Sequence, residues 1–407
     1  MAINLQRPRR RAGDNRSRLA NGARHSRAEA RAMSDQPWQP PQSVAWSQAI
    51  REPHLALDWS LAEWERVVRL ARRLRLLARL GESLAAADLL GRVPVQARRH
   101  VIAELRLSRW RTASIAWTLE RIAAALEDAP YPRVLLKGAA YIGQDLPIAA
   151  GRLPSDLDIL VPRANVADAQ ERLTRAGWSE PDLDPHDRRY YHEWSHEVPP
   201  MTHALFTVEL DLHHNILPPV ARTRVDANAL LEYLRPSKWA PWQVLDPVDQ
   251  VLHSAAHLFL DSEARDRLRD LVDMDGLFRH FGAEEGFWRR LPERARTLGL
   301  TEPLALACHF CIKWIGSEVP AETLKSVAAD GPTPWRRVWL QRLFEAILMP
   351  TEPDDIPPLK QDLAASVQLA RYHAQRMPMR LLAPHLWRKL NAGSRLGREA
   401  DRNVVGR

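Results

Sequence analysis

Two cysteines in 407 residues are too few for a disulfide framework, and Cys308 and Cys311 have no second pair with which to close a zinc site. Their C-x-x-C spacing lies within the apolar helical run LALACHFCIKWIG, so they read as two buried thiols of a reducing compartment. Lysine is also scarce. It supplies six of the 58 basic residues, at positions 137, 238, 313, 325, 360 and 389. No apolar run has the length of a signal-peptide core or a membrane span, and no internal repeat recurs along the chain. These absences exclude a disulfide-rich secreted scaffold, a helical membrane protein and a repeat array. The chain reads as cytoplasmic.

What charge there is lies unevenly. Residues 1–33 hold nine arginines against Asp14 and Glu29, and residues 371–407 hold eight arginines and Lys389 against Glu399 and Asp401. Each end therefore carries +7 within a chain of net +8, which leaves the body between them at −6. The high isoelectric point, near 9.8, belongs to the ends. Neither end interleaves aromatics with its arginines, which argues against nucleic acid as the partner and for solvated tails.

Along the chain, residues 1–45 read as a disordered basic tail and a Pro-rich linker. Residues 46–130 form an N-terminal helical segment. Its first long helix is marked by apolar spacing of three and four and by a capping box, Ser60 with Glu63. A second long helix runs over residues 95–129, with a break expected inside it. The pattern changes at residues 131–217, an α/β core. RVLLK ends an apolar strand in Lys-Gly, LDILV is a second strand, and NVADAQERLTRAGW is a helix stopped at Gly177. ALFTVELDLHHNI then alternates with period two, placing Val208, Leu210 and Leu212 on one face and Glu209, Asp211 and His213 on the other. Residues 218–350 return to helices, and residues 351–407 are a further helix and a basic tail. The fold class is α+β, with a small mixed sheet between helical segments.

Asp156 and Asp158 stand two apart in the second strand, so their carboxylates share a face while Leu157 and Ile159 enter the core. Two adjacent carboxylates repel unless a cation lies between them. Oxygen donors of this kind suit Mg²⁺ or Mn²⁺, which retain waters and bind substrate phosphates. Asp211, on the polar face of another strand, supplies a third carboxylate, and three such groups allow two-metal phosphoryl or nucleotidyl transfer. A lone D-x-D can simply end a strand. Here Arg152 and Ser155 precede it, and Lys137-Gly138 forms a strand-to-helix turn upstream.

These residues carry a resemblance. LLKG at residues 135–138, the R-x-x-S-D-x-D-h-L-V pattern from Arg152 to Val161, and Leu210-Asp211-Leu212-His213 resemble the uncharacterised nucleotidyltransferase family within the DNA polymerase β-like nucleotidyltransferase superfamily. The likeness covers about residues 59–316. It implies a polymerase β-like nucleotidyltransferase core, with Asp156 and Asp158 binding Mg²⁺ or Mn²⁺ and Asp211 completing the site or taking the proton of the attacking hydroxyl. It also implies that Gly138 lets the backbone approach a triphosphate. Where the wider superfamily has Gly-Ser or Gly-Gly this chain has Gly138-Ala139. The turn therefore offers no hydroxyl to a phosphate, and that role falls to Lys137 or Arg152. The implied substrates are a nucleoside triphosphate and an acceptor hydroxyl on a sugar, peptide or protein. A non-catalytic, antitoxin-like binding module on the same fold is the alternative.

Other constellations point elsewhere. His253 and His257 have the i, i+4 spacing of a zinc pair, but Ser254 stands where a metalloprotease helix has Glu. Asp270 and Asp273, near Arg267 and Arg269, read as a structural ion network. A metal-dependent phosphohydrolase would need His186-Asp187 as its adjacent pair, which reads as part of a polar loop between strands rather than of a helix.

Overall fold

Ser60 and Glu63 form the expected capping box: the Ser60 hydroxyl accepts from the Glu63 amide at 3.2 Å, and the Glu63 carboxylate accepts from the Ser60 amide at 2.7 Å. They start helix α1, Leu61–Arg73, in a computed structural model that describes residues 42–376. Structure begins earlier than the sequence predicts. Helical turns run from Gln42 through Asp58, and Val44, Trp46 and Ala49 are buried in the core, so the linker does not extend to residue 45. Apolar burial outweighs the surrounding prolines there. Most of the two basic tails, and so the expectation of disorder, lies outside the described residues.

Helix α2, Leu77–Ala86, packs on α3, Val95–Ala125. Gly81 permits that approach, since a Cβ there would lie 2.6 Å from Val101 Cγ1. The break expected in α3 is absent. The helix contains neither Pro nor Gly, and its buried positions keep helical phase from Ala97 through Val101, Leu105 and Ser108 to Ile115, Leu119 and Ile122. Ser108, polar but buried, stays in the helix by donating its hydroxyl to the Arg152 carbonyl at 3.1 Å.

The sheet is small and mixed. Strand β1, Val134–Leu135, turns directly into helix α4, Lys137–Gly143; β2, Asp156–Leu160, follows, and then α5, Val166–Arg175. Gly177, at φ +96°, ends α5 in the left-handed region. Strands β3, Trp178–Ser179, and β4, Thr202–His203, make a separate two-stranded ladder, while β5, Glu209–His213, returns to the main sheet. Two more strands lie beyond residue 217, where the sequence closes the α/β core: β6, Arg235–Pro236, and β7, Gln243–Val244. The order is β5-β2-β1-β7-β6, with β1 antiparallel to β2 and parallel to β7. Two-residue strands flanked by prolines cannot display period two, which is why this half of the sheet escapes sequence analysis.

Helices α6, Pro185–Trp194, between β3 and β4, and α7, Ala227–Leu231, between β5 and β6, precede the C-terminal helices α8, Pro247–Phe259, and α9, Leu268–Phe281. Gly276 lets α9 come so close to the Pro147–Ala149 turn that a Cβ would meet Ile148 Cγ2 at 1.8 Å. Further helices stack Phe259 on Phe310 and set Phe344 edge-on to Phe259. Cys308 and Cys311 are free and buried in this layer, and burial pushes the Cys308 thiol up to about 12. The last described helix, Leu359–Arg376, folds back onto the body. There Arg371 pairs with Glu302 at 2.9 Å and the fully buried Gln368 donates to the Asp261 carbonyl. Among the described residues no helix is long and apolar enough to cross a membrane.

Candidate functional site

Register on β2 decides the site. It runs parallel to β5 with Asp158 opposite Asp211, Asp156 opposite Glu209 and Leu160 opposite His213. Leu157, Ile159, Leu210 and Leu212 are fully buried on the other face. Neighbouring strands lie about 4.8 Å apart, so the polar groups of the two strands are held side by side.

The β1–β2 pairing brings Lys137 to the same place. The Leu136 amide donates to the Asp158 carbonyl, and the chain then turns through Lys137 at φ +43°. A non-glycine residue in the left-handed region is strained, and such strain concentrates at working sites. The Lys137 ammonium lies 2.9 Å from Asp158 Oδ1, and His213 Nε2 reaches the same oxygen at 2.9 Å. Burial pushes the Asp158 carboxyl up, but Lys137 and His213 outweigh it and hold the group well below the usual carboxylate range. Burial pushes Lys137 down, and the carboxylates of Asp158 and Asp156 raise it on balance, so it remains an ammonium. For Asp211 the balance is reversed, since His213 offsets only part of the rise. Burial first, and then the charge of Asp158, push its carboxyl up to about 7.

Gly138 serves a purpose the sequence does not reveal. A Cβ there would lie 2.1 Å from Arg152 Nη1, so the missing side chain makes room for a guanidinium. Arg152 is buried, bonds Asp273 through Nε at 2.8 Å, and lies over the Tyr141 ring at 5.3 Å. Burial alone would weaken the Arg152 charge, but Asp273 more than compensates and the guanidinium is held charged.

These elements enclose a cavity of about 380 Å³, lined by Lys137, Arg152, Ser155, Asp156 and Asp158. Ser155 is exposed on its rim. Gly138 lies beneath Arg152, and Asp211 stands behind Asp158 on β5. The ion network of α9 is formed, with Arg267 bonded to Asp270 and Arg152 to Asp273, and it makes a wall of this same cavity. Its structural role and its place beside the carboxylates are therefore compatible.

The sequence misses two neighbours and leaves a third unplaced. His213 is visible on the polar face of its strand, but its bond to Asp158 depends on register. His196 and Glu197 give no pattern of their own; they arrive through a bridge pairing Glu197 with His213 and a hydrogen bond from the His214 amide to the His196 carbonyl. Two groups with metal-ligating atoms within 4.8 Å of one another result: Asp158 with Asp211 and His213, and His196 with Glu197 and His213. For His213, burial disfavours the charged ring, whereas the Asp158 hydrogen bond and the Glu197 charge raise its pKa on balance. His253 is buried and His257 half-buried, with ring centroids 6.4 Å apart, and neither joins a three-ligand group among the described residues. His186 and Asp187 lie in helix α6 and not in the expected loop, and their side chains lie outside the described residues.

Residues 60–316 match the family described as "Uncharacterised nucleotidyltransferase". No curated protein and no solved structure matches the chain.

Proposed function

Because the chain belongs to the uncharacterised nucleotidyltransferase family, we propose that it transfers a nucleoside monophosphate from a nucleoside triphosphate to an acceptor hydroxyl, using Mg²⁺ or Mn²⁺. The observation that carries this reading is the in-register pair Asp158–Asp211: Asp158 lines, with Asp156, a cavity that also presents Lys137 and Arg152, and Asp211 stands next to it on β5. We read the five-stranded sheet as a polymerase β-like nucleotidyltransferase core. Its support is the short β1–α4 turn that aims Lys137 at the carboxylates of β2.

The residues fit a hard cation. Asp156 and Asp158 on β2 and Asp211 on β5 share one sheet face, and burial first, then the charge of Asp158, raises the pKa of Asp211, so that a bound cation would relieve a carboxyl that resists ionisation. Lys137 already stands beside Asp158 as a counter-charge. Asp156, Asp158 and Asp211 would hold the metal, which when bound offsets negative charge on the triphosphate oxygens. Lys137 and Arg152 supply charge-assisted donors to those oxygens, and Ser155 a hydroxyl at the rim. Asp211 orients the acceptor hydroxyl and takes its proton. The hydroxyl oxygen bonds to the α-phosphorus in line, the bond to the bridging oxygen of the β-phosphate breaks, and pyrophosphate leaves with that electron pair. The acceptor is a sugar, peptide or protein hydroxyl. The reaction belongs to the cytoplasm.

The test is direct. Each of the four common nucleoside triphosphates is titrated against the protein, with thermal stability as readout, in Mg²⁺ and in EDTA. At least one should raise the melting temperature in Mg²⁺ and much less in EDTA. Equal shifts in both conditions remove the metal from the reading. No shift with any nucleotide in either condition favours a non-catalytic binding module.

A further inference from the structure

His196, Glu197 and His213 form a cluster that nucleotidyl transfer leaves unused. His213 Nδ1 lies 3.4 Å from Glu197 Oε2, and His196 Nε2 lies 3.7 Å from the same oxygen. These separations match the edge of a tetrahedron whose arms are about 2.1 Å long, the usual zinc–nitrogen and zinc–oxygen distance, since such an edge measures about 3.4 Å. The backbone fixes the arrangement. Glu197 and His213 face each other across a bridge, and the Val198 amide donates to the Leu212 carbonyl at 3.0 Å.

The hydrogen bonding of His213 orients it as a ligand. Its Nε2 is occupied by Asp158 Oδ1 at 2.9 Å; as the donor there, it leaves the Nδ1 lone pair facing Glu197 and His196. His213 is 2 % exposed, and its Nδ1 is buried with no hydrogen-bond partner. A carboxylate behind one imidazole nitrogen with a metal in front of the other is a recurrent arrangement, in which the carboxylate fixes the tautomer and raises ligand basicity. The cluster also has an open side. His196 and Glu197 line a cavity of about 150 Å³ whose other walls include Leu217, His257 and Tyr372, so a fourth coordination position faces space rather than protein.

We propose that His196, Glu197 and His213 bind a transition-metal ion, Zn²⁺ by donor chemistry, with one open position directed into this cavity. Two imidazoles and one carboxylate favour Zn²⁺ over Mg²⁺, whereas the all-carboxylate set of Asp156, Asp158 and Asp211 favours the hard ion. The two sites meet at His213, whose one nitrogen orders Asp158 and whose other ligates. The open position takes water or an oxygen or sulfur donor of whatever enters the cavity.

The test uses the full chain, stripped with a chelator and dialysed against Zn²⁺ in excess Mg²⁺, with bound zinc measured by elemental analysis and ligand geometry by the visible bands of bound Co²⁺. One equivalent of zinc should be retained by the parent and by Asp156→Asn. His196→Ala and Glu197→Gln should each lose at least about tenfold in zinc affinity, the scale on which even supporting groups of metal sites act. The Glu197→Gln side chain has nearly the same shape, and its melting temperature in chelator, compared with that of the parent, separates lost ligation from lost folding. No retained zinc in the parent overturns the proposal and leaves His213 as a protonated bridge between Asp158 and Glu197. Zinc retained equally by both cluster variants also overturns it. Zinc lost with Asp156→Asn but kept with Glu197→Gln places the ion among the strand carboxylates and overturns it as well.

Discussion

The two acidic walls of the larger cavity are built on opposite principles. On α9, Asp270 is bonded by Arg267 and approached by Arg269 at 3.5 Å, and Asp273 is bonded by Arg152. Despite burial, the guanidinium groups of Arg267 and Arg269 hold Asp270 below the ordinary carboxylate range. On β2, Asp156 and Asp158 line the cavity, with Lys137 and His213 both bonded to Asp158, and behind them on β5 burial first, then the charge of Asp158, pushes Asp211 up to about 7. One wall is neutralised by the protein itself. The other spends its two cationic neighbours, Lys137 and His213, on Asp158 alone, and on the proposed reading that difference separates a cation site from a network that holds helices together.

The comparison is broken most severely by removing a carboxylate from the strand wall. Asp158→Asn should abolish metal-dependent nucleotide binding and transfer together, because it removes the charge shared by Lys137 and His213. Retention of parental transfer would make the paired aspartates structural. Asp211→Asn should keep most nucleotide affinity while turnover falls by about two orders of magnitude, the usual scale for losing general-base assistance. Normal turnover in this variant would move the proton acceptor elsewhere.

On the neutralised wall the effect should appear in stability. Asp273→Asn leaves the buried guanidinium of Arg152 without its counter-charge, and breaking a buried pair costs on the order of 3–5 kcal/mol. Chemical denaturation measures it, and a cost below about 1 kcal/mol would place the pair among weak surface bridges.

The smallest effect sharpens the contrast with pH. In chelator, the raised pKa of Asp211 means that its unfolded form ionises from about 4 upward, while its folded form resists ionisation until about 7. The group therefore costs folding stability that grows between those values and is fully present above the upper one. Asp211→Asn removes this cost. Its melting temperature relative to the parent should be higher at pH 8 than at pH 4, and a difference constant with pH would sink the electrostatic account.

Local signals survive into the structure where they concern one stretch of chain. The Ser60 cap, the Gly177 stop and the alternation of β2 and β5 are each set by residues within one turn or one strand. Their alternation also puts Asp156, Asp158 and Asp211 on polar faces before any pairing is known. What the sequence does not display is which faces meet. His196 and Glu197 become neighbours of His213 only through a bridge across a turn of chain, and Arg152 finds Gly138 and Asp273 only after α9 has packed. The unbroken α3 teaches the same point in reverse. A break is expected inside it, yet the helix runs through, and its buried Ser108 hydroxyl meets the distant Arg152 carbonyl.

Gly138 and its guanidinium neighbour have a consequence for how such a site could be inherited. The cavity takes Arg73 from α1, Lys137 from the start of α4, Asp158 from β2, and Arg267, Asp270 and Asp273 from the α9 region. Arg152 spans the divide, seated over the β1–α4 turn and anchored on α9. The strands cut out by themselves would retain the carboxylates and lose the wall that holds the arginine in place. The smallest portable unit is the stretch from α1 through α9, and recombination that exchanges the sheet without its helices would transplant an acidic face with nothing opposite it.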